Sequence, residues 1–312
     1  MFLWLQVEEL SELTTTKDGI IAEMGTKQWR VEDMVDMSDK IVFVTGGNGG
    51  IGYVSCKEML RKNAKVYMAA RDSNKGRAAI NSLKEETGKE AQLIQLDLSD
   101  LHQVRKAAEE FLSKESRLDV LMNNAGVMAA PIDQLTKNSY DLQFGTNVLG
   151  HFHLTSLLLP ALLASPSPRV INVSSRRHIN TLPEGIQFNS LKGPKSGTWV
   201  PPEQGNILHT NELVRRYGDR GLVAISIYPG FVKTDLMRHH GSLLTRIMQS
   251  FAISPEQGAI TQLFAASAPD AKLLSGKYLV PYAREGVPSA FARDDALAKK
   301  MWDWCEAELE AF

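Results

Sequence analysis

Thr45-Gly46-Gly47-Asn48-Gly49-Gly50-Ile51-Gly52 follows the apolar run Ile41 to Val44 and opens a helical pattern. A chain that binds a dinucleotide lays its phosphate loop at such a strand–turn–helix junction. Gly46 permits the tight turn, and Gly50 and Gly52 lack the Cβ atoms that would block the pyrophosphate and the strand–helix contact. Free N–H groups and the dipole at the helix start then attract the phosphates. The spacing TGxxxGxG is neither the general GxGxxG nor a loop ending in GK[ST], which argues against ATP or GTP hydrolysis.

About twenty residues past the loop, at the end of the next strand, an acidic side chain would bond the adenosine ribose 2′-hydroxyl of NAD. Here the strand Lys65 to Ala69 runs into Ala70 and Arg71. With no carboxylate and a guanidinium in its place, a 2′-phosphate is better accommodated, so the cofactor is read as NADP. The competing reading has Arg71 as a solvated loop charge beside Asp72.

Apolar strand-like runs alternate with helical patterns from Lys40 to about Val280, which demands a parallel sheet with helices on both faces. The expected architecture is α/β: one doubly wound, Rossmann-type domain over residues 40–312 with a seven-stranded parallel sheet, preceded by an N-terminal extension of residues 1–39. A formal charge of −1 provides no pull toward nucleic acid or anionic membrane and favours a small-molecule substrate. Cys56 and Cys305 are too few for a disulfide framework or a metal site, so a reducing, cytoplasmic setting is expected. The apolar start Met1 to Val7 runs into Glu8 and Glu9, too short for a membrane span.

Further motifs arrive in a fixed order. Asp97 and Leu98 follow the third strand, Asn123-Asn124-Ala125-Gly126 ends the fourth, Asn147 sits in a helical stretch, Ser174-Ser175 ends the fifth, and Pro229-Gly230 with Val232 and Thr234 follows the sixth. On these residues the chain resembles the short-chain dehydrogenase/reductase family from about Lys40 onward. Tyr140 to Phe152, Glu212 to Gly221 and Gly276 to Gly286 are most similar to its fungal retinol-dehydrogenase-like branch. The resemblance implies a nicotinamide cofactor held by Gly46, Asn48, Gly50, Ile51, Gly52, Arg71, Asp97, Leu98, Asn124, Ala125, Gly126, Pro229, Gly230, Val232 and Thr234. It also implies Ser175 to orient the substrate oxygen, Asn147 in the proton relay, and a homodimer as candidate assembly.

In that family a tyrosine and a lysine, spaced YxxxK, supply the proton while the nicotinamide exchanges a hydride. Residues 176–221 contain no YxxxK. Anchoring on Asn206-Ile207-Leu208 puts Trp199 at the tyrosine position and Glu203 at the lysine position; a short deletion aligns nearly as well. An indole has no titratable proton, and a carboxylate would raise a nearby phenol's pKa. The stretch from Arg176 to Glu203, rich in Pro, Gly, Ser and Asn, predicts a long active-site loop, and Pro201 and Pro202 predict a late entry into the next helix. Tyr228 and His178 are the replacement donors that the sequence offers. Three functions remain open: an oxidoreductase acting on a carbonyl or alcohol of an apolar molecule with altered acid catalysis, a catalytically silent NADP-binding protein, and a non-redox isomerase or cyclase.

Overall fold

The computed structural model describes residues 29–180, 185–193, 202–233 and 252–312. Thr234 and Trp199, both singled out above, lie outside the described residues, as do residues 1–28. Seven strands run parallel: β1 (Ile41–Thr45), β2 (Lys65–Ala70), β3 (Gln92–Gln95), β4 (Val120–Asn123), β5 (Arg169–Val173), β6 (Val223–Ile227) and β7 (Tyr278–Val280). An eighth, β8 (Arg284–Gly286), adds antiparallel to β7, so the sheet has the order β3-β2-β1-β4-β5-β6-β7-β8. The seven expected parallel strands are all present; the eighth is a short polar edge strand. The order reverses direction between β1 and β4, and at such a switch point the loops splay apart to leave a crevice at the strands' C-terminal ends.

Alternation along the strands divides the core. Phe43, Leu121, Val170 and Ala224 face one side, and Val42, Val44, Met122, Ile171 and Ile225 the other. The first side is covered by α3 (Leu101–Leu112), α5 (Gly150–Leu163), α6 (Pro202–Tyr217) and α8 (Asp295–Leu309). The second is covered by α1 (Gly50–Arg61), α2 (Ser73–Thr87) and α7 (Pro255–Ser267). Upstream of β1, Met34 and Met37 are buried in this second layer and Trp29 packs edge-on against Phe264, so the described part of the N-terminal segment lies on the domain. Among the described residues no helix is long and apolar enough to cross a membrane.

Candidate active site

The glycine turn is closed beneath and open above. Gly46 takes φ +65°, a left-handed conformation costly for other residues. A Cβ on Gly52 would lie 2.4 Å from the Gly46 carbonyl oxygen and 2.5 Å from Asn124 Nδ2, so the first turn of α1 sits directly on the loop. At Gly49 a Cβ would meet nothing within 4 Å. Above the loop the first N–H groups of α1 lack intrahelical partners, which is the cradle a pyrophosphate needs. Gly258 of α7 brings two expected cofactor residues together: its Cβ would fall 2.5 Å from Val232 and 2.9 Å from Ile51. Gly230, at φ +97°, likewise allows Ile253 to close on the segment after β6.

Thr45 ties this loop to the end of β4. Its hydroxyl accepts from Asn124 N and Ala125 N, each at 2.9 Å, while Asn124 Nδ2 donates to Thr45 O at 2.8 Å. The hydroxyl proton is then directed to His151 Nε2, 2.8 Å away. His151 Nδ1 lies 2.9 Å from the carbonyl oxygen of Asn147, so the ring is the Nδ1–H tautomer and neutral. Burial agrees, lowering the His151 pKa to about 4. Asn147 lies in a π-helical turn, Gly145–Leu149, between a short α4 (Leu142–Phe144) and α5. Its side chain is clamped to Val127, accepting from N and donating to O, both at 2.9 Å. In the sequence Thr45 stands only as the leading residue of the glycine stretch and His151 is not marked out; the Asn147–His151 spacing of one helical turn is the available signal.

The buried histidines bear on acid stability. Desolvation lowers His209 to about 3 and His153 to about 4, against 6.5 for an open imidazole. The unfolded chain therefore binds protons first, and the stability present above pH 6.5 is lost as pH falls through about 4 for His151 and His153 and about 3 for His209. Urea midpoints are expected to drop through that window, and less so in His209→Phe, which fits the aromatic contacts to Phe152 and Trp302. Equal acid sensitivity in both proteins would refute the assignment.

On the other side of the loop, β1 and β2 pair Thr45 with Ala69, and Gly47 N donates to Ala69 O at 3.2 Å. Arg71 follows β2 immediately, exposed and, among the described residues, without an ion pair. The Asp72 carboxylate caps α2, accepting from Asn74 N at 2.9 Å and Lys75 N at 3.1 Å, bonds that hold its pKa below the usual carboxylate range together with the Lys75 and Arg71 charges. Asp97 accepts from Ser99 N and Oγ, and the Leu98 carbonyl abuts Gly150, where a Cβ would lie 2.5 Å away.

Beyond β5, Ser175 Oγ accepts from Arg177 N at 3.0 Å and caps the turn Arg176–Ile179. The expected loop ends sooner than Glu203: α6 starts at Pro202, because proline is tolerated in a first helical turn where its missing N–H has no partner to lose. Glu203 is thereby carried into the first turn of the helix, half-buried. Ser174 Oγ donates to its carbonyl at 2.8 Å, and its enclosed Oε2 has no hydrogen-bond partner among the described residues. Desolvation raises the Glu203 pKa, with the Arg177 charge opposing.

The replacement donors fit less well. His178 Nδ1 lies 2.7 Å from Ser175 O, which places the proton there and leaves Nε2 bare and unpartnered. Burial pushes the Tyr228 phenol pKa up. A YxxxK does occur in α1, Tyr53 to Lys57, but both side chains engage Glu86 on α2, at 2.5 and 3.3 Å.

The short chain dehydrogenase family matches residues 40–242. A short-chain dehydrogenase/reductase of Armillaria gallica is 45% identical over 293 residues, covering 91% of this chain and 95% of that protein. Human retinol dehydrogenase 11 is 38% identical, covering 86% and 85%. Among solved structures, an uncharacterized protein of Mycobacterium paratuberculosis aligns with a TM-score of 0.73 at 32% identity, covering 90% of this chain and 97% of that one. The chain belongs to the short-chain dehydrogenase/reductase family, whose members are oxidoreductases that use a nicotinamide cofactor.

Proposed function

We propose that the protein is an NADP-dependent oxidoreductase acting on a carbonyl or secondary alcohol of an apolar small molecule, with acid catalysis that departs from its family's. One domain from Lys40 to the C-terminus carries this activity. The observation that carries the cofactor reading is Arg71, which leaves β2 beside the glycine turn with no ion pair among the described residues and with Asp72 committed to capping α2. A guanidinium so placed recognises a 2′-phosphate, and neither Ala69 nor Ala70 offers an acceptor for a 2′-hydroxyl.

When bound, the nicotinamide supplies the hydride. The chain's own part is to hold phosphates at the N–H groups of the glycine turn and the start of α1, and to fix the floor of the crevice through Thr45, Asn124 and Asn147. Ser175 orients the substrate oxygen. Tyr228 clusters with Ile207, Tyr278 and Val280 close to His178, an apolar wall that suits an apolar substrate.

Calorimetric titration is expected to give tighter binding of NADPH than NADH, and Arg71→Ala to weaken NADPH by roughly 10- to 100-fold, a charge-assisted contact being worth about 1.5–3 kcal/mol. Equal affinities, or an unchanged Arg71→Ala, would overturn the assignment. A catalytically silent NADP-binding protein is the second reading, favoured by the absence of YxxxK from residues 176–221. Failure of the wild type to oxidise NADPH with any of a panel of aldehydes, ketones and quinones would select it.

A further inference from the structure

His151, in the first turn of α5, is buried between two parts of the crevice floor. Its Nε2 lies 2.8 Å from Thr45 Oγ1 at the end of β1, and its Nδ1 lies 2.9 Å from Asn147 O in the π-turn. The groups at both ends allow one arrangement of protons. Asn147 O can only accept, so Nδ1 carries the ring's proton. Thr45 Oγ1 already accepts from Asn124 N and Ala125 N, both at 2.9 Å, which fills its lone pairs and leaves it a proton to give. A neutral ring with Nε2 bare satisfies both ends; a ring protonated at Nε2 would face a hydroxyl oxygen with no lone pair left. Met122 O, the other acceptor near that hydroxyl, stands at 3.4 Å, too far for a good bond.

Each end of the ring bears on a different part of the site. The Thr45 end sets the cofactor turn: the hydroxyl holds Asn124 and Ala125 where Gly46 packs on them, a Cβ on Gly46 falling 3.1 Å from Ala125 Cα. Asn124 Nδ2 then reaches back to Thr45 O at 2.8 Å. The Asn147 end sets the π-turn, where the helix ladder is shifted by one residue. From that turn the Asn147 side chain exchanges bonds with Val127 N and O, both at 2.9 Å, immediately past Gly126.

We propose that His151 is a positioning residue of this site: its Nε2 fixes the Thr45 hydroxyl and with it the cofactor turn, and its Nδ1–H fixes the Asn147 carbonyl and with it the π-turn of the proton relay. The proposal rests on the oxidoreductase reading of the crevice. The ring exchanges no proton with substrate, because both nitrogens are engaged and the side chain is buried.

The two ends can be cut separately. An asparagine amide places its nitrogen near Nδ1, and a glutamine amide places its oxygen near Nε2. His151→Asn therefore keeps the donor to Asn147 O and strands the Thr45 hydroxyl, whereas His151→Gln keeps the acceptor for Thr45 and strands Asn147 O. The test uses the full chain, calorimetric titration with NADPH, and single-turnover reduction of benzaldehyde, a methyl ketone and a quinone at saturating NADPH. His151→Asn is expected to bind NADPH roughly 5- to 100-fold more weakly, the range for one stranded buried partner, and once saturated to react within about threefold of wild type. His151→Gln is expected to bind NADPH within about twofold of wild type and to react roughly 5- to 100-fold more slowly. A general loss of stability would not separate affinity from rate in this way, and His151→Phe should show both losses. Nitrogen-15 NMR of histidine-labelled wild type without cofactor, at neutral pH, should show the His151 ring protonated at Nδ1 alone, the signal being the one missing from His151→Asn.

A wild type that does not bind NADPH overturns the cofactor reading and the Thr45 half of the proposal. One that binds NADPH but reduces none of the probes overturns the oxidoreductase reading and the Asn147 half. With a wild type that binds and reduces, a ring protonated at Nε2, or asparagine and glutamine variants in which affinity and rate fall together or not at all, overturns the positioning role alone.

Discussion

Gly52→Ala is expected to abolish NADPH binding and to destabilise the fold by about 2–6 kcal/mol, from about 1–3 for overpacking and about 1–3 for a broken buried hydrogen bond. The added methyl would sit 2.4 Å from the Gly46 carbonyl oxygen and 2.5 Å from Asn124 Nδ2. Neither is the free end of a flexible side chain. The carbonyl belongs to a residue held at φ +65°, and Nδ2 is anchored at 2.8 Å on Thr45 O. Relief therefore requires α1 to lift off the turn or Asn124 to leave β1, and either movement opens the cradle. Gly49→Ala is the steric control: its backbone is extended and its Cβ would meet nothing within 4 Å, so its urea midpoint should match the wild type's. Unchanged stability and NADPH affinity in Gly52→Ala would contradict this account of the loop.

The features legible in the sequence are those whose causes are local. Strand and helix alternate with their own periods, so the seven parallel strands and the placement of the glycine turn follow from neighbours a few residues apart. The positions of Arg71 and Ser175 just past β2 and β5 are legible because a strand end dictates where the next residues emerge. β8 was not, since Arg284–Gly286 is polar and three residues long, and it is ordered by its antiparallel partner. Nor was the π-turn at Gly145–Leu149, whose residues suit an α-helix equally well. Thr45 and His151 meet across 106 positions of sequence, a distance over which no pattern of spacing speaks. Glu203 is the sharpest case. Its two preceding prolines read locally as a delayed helix, and only the packing of α6 on β5 encloses one carboxyl oxygen, Oε2, of a helix-start glutamate.

That packing runs through a polar chain inside the core, and Asn172→Asp is expected to break it at a cost of about 3–5 kcal/mol at neutral pH. Asn172 Oδ1 accepts from Asn123 Nδ2 at 2.8 Å, and Asn172 Nδ2 donates to Thr210 Oγ1 at 3.0 Å. The Thr210 hydroxyl has given its proton to Asn206 O at 2.9 Å, and Asn206 Nδ2 returns to Val173 O at 2.8 Å. Every hydroxyl and amide in this line has its direction set by the next, so Thr210 needs a donor at position 172. Aspartate has the same shape and lacks one. If ionised, it is a buried charge facing a lone pair; if neutral, it keeps the bond but must hold its proton far above the ordinary value of about 3.9. The sign follows from that raised pKa. The variant should be closest to wild type below about pH 4, where the unfolded chain is also protonated, and should lose stability as pH rises until the folded aspartate ionises. Urea titrations at acidic and alkaline pH should therefore show a gap that widens upward. Because Asn206 anchors α6 to Val173 at the end of β5, next to Ser174 and Ser175, the variant should also loosen α6 against that strand end. A gap independent of pH would mean that α6 is held to β5 by apolar packing alone.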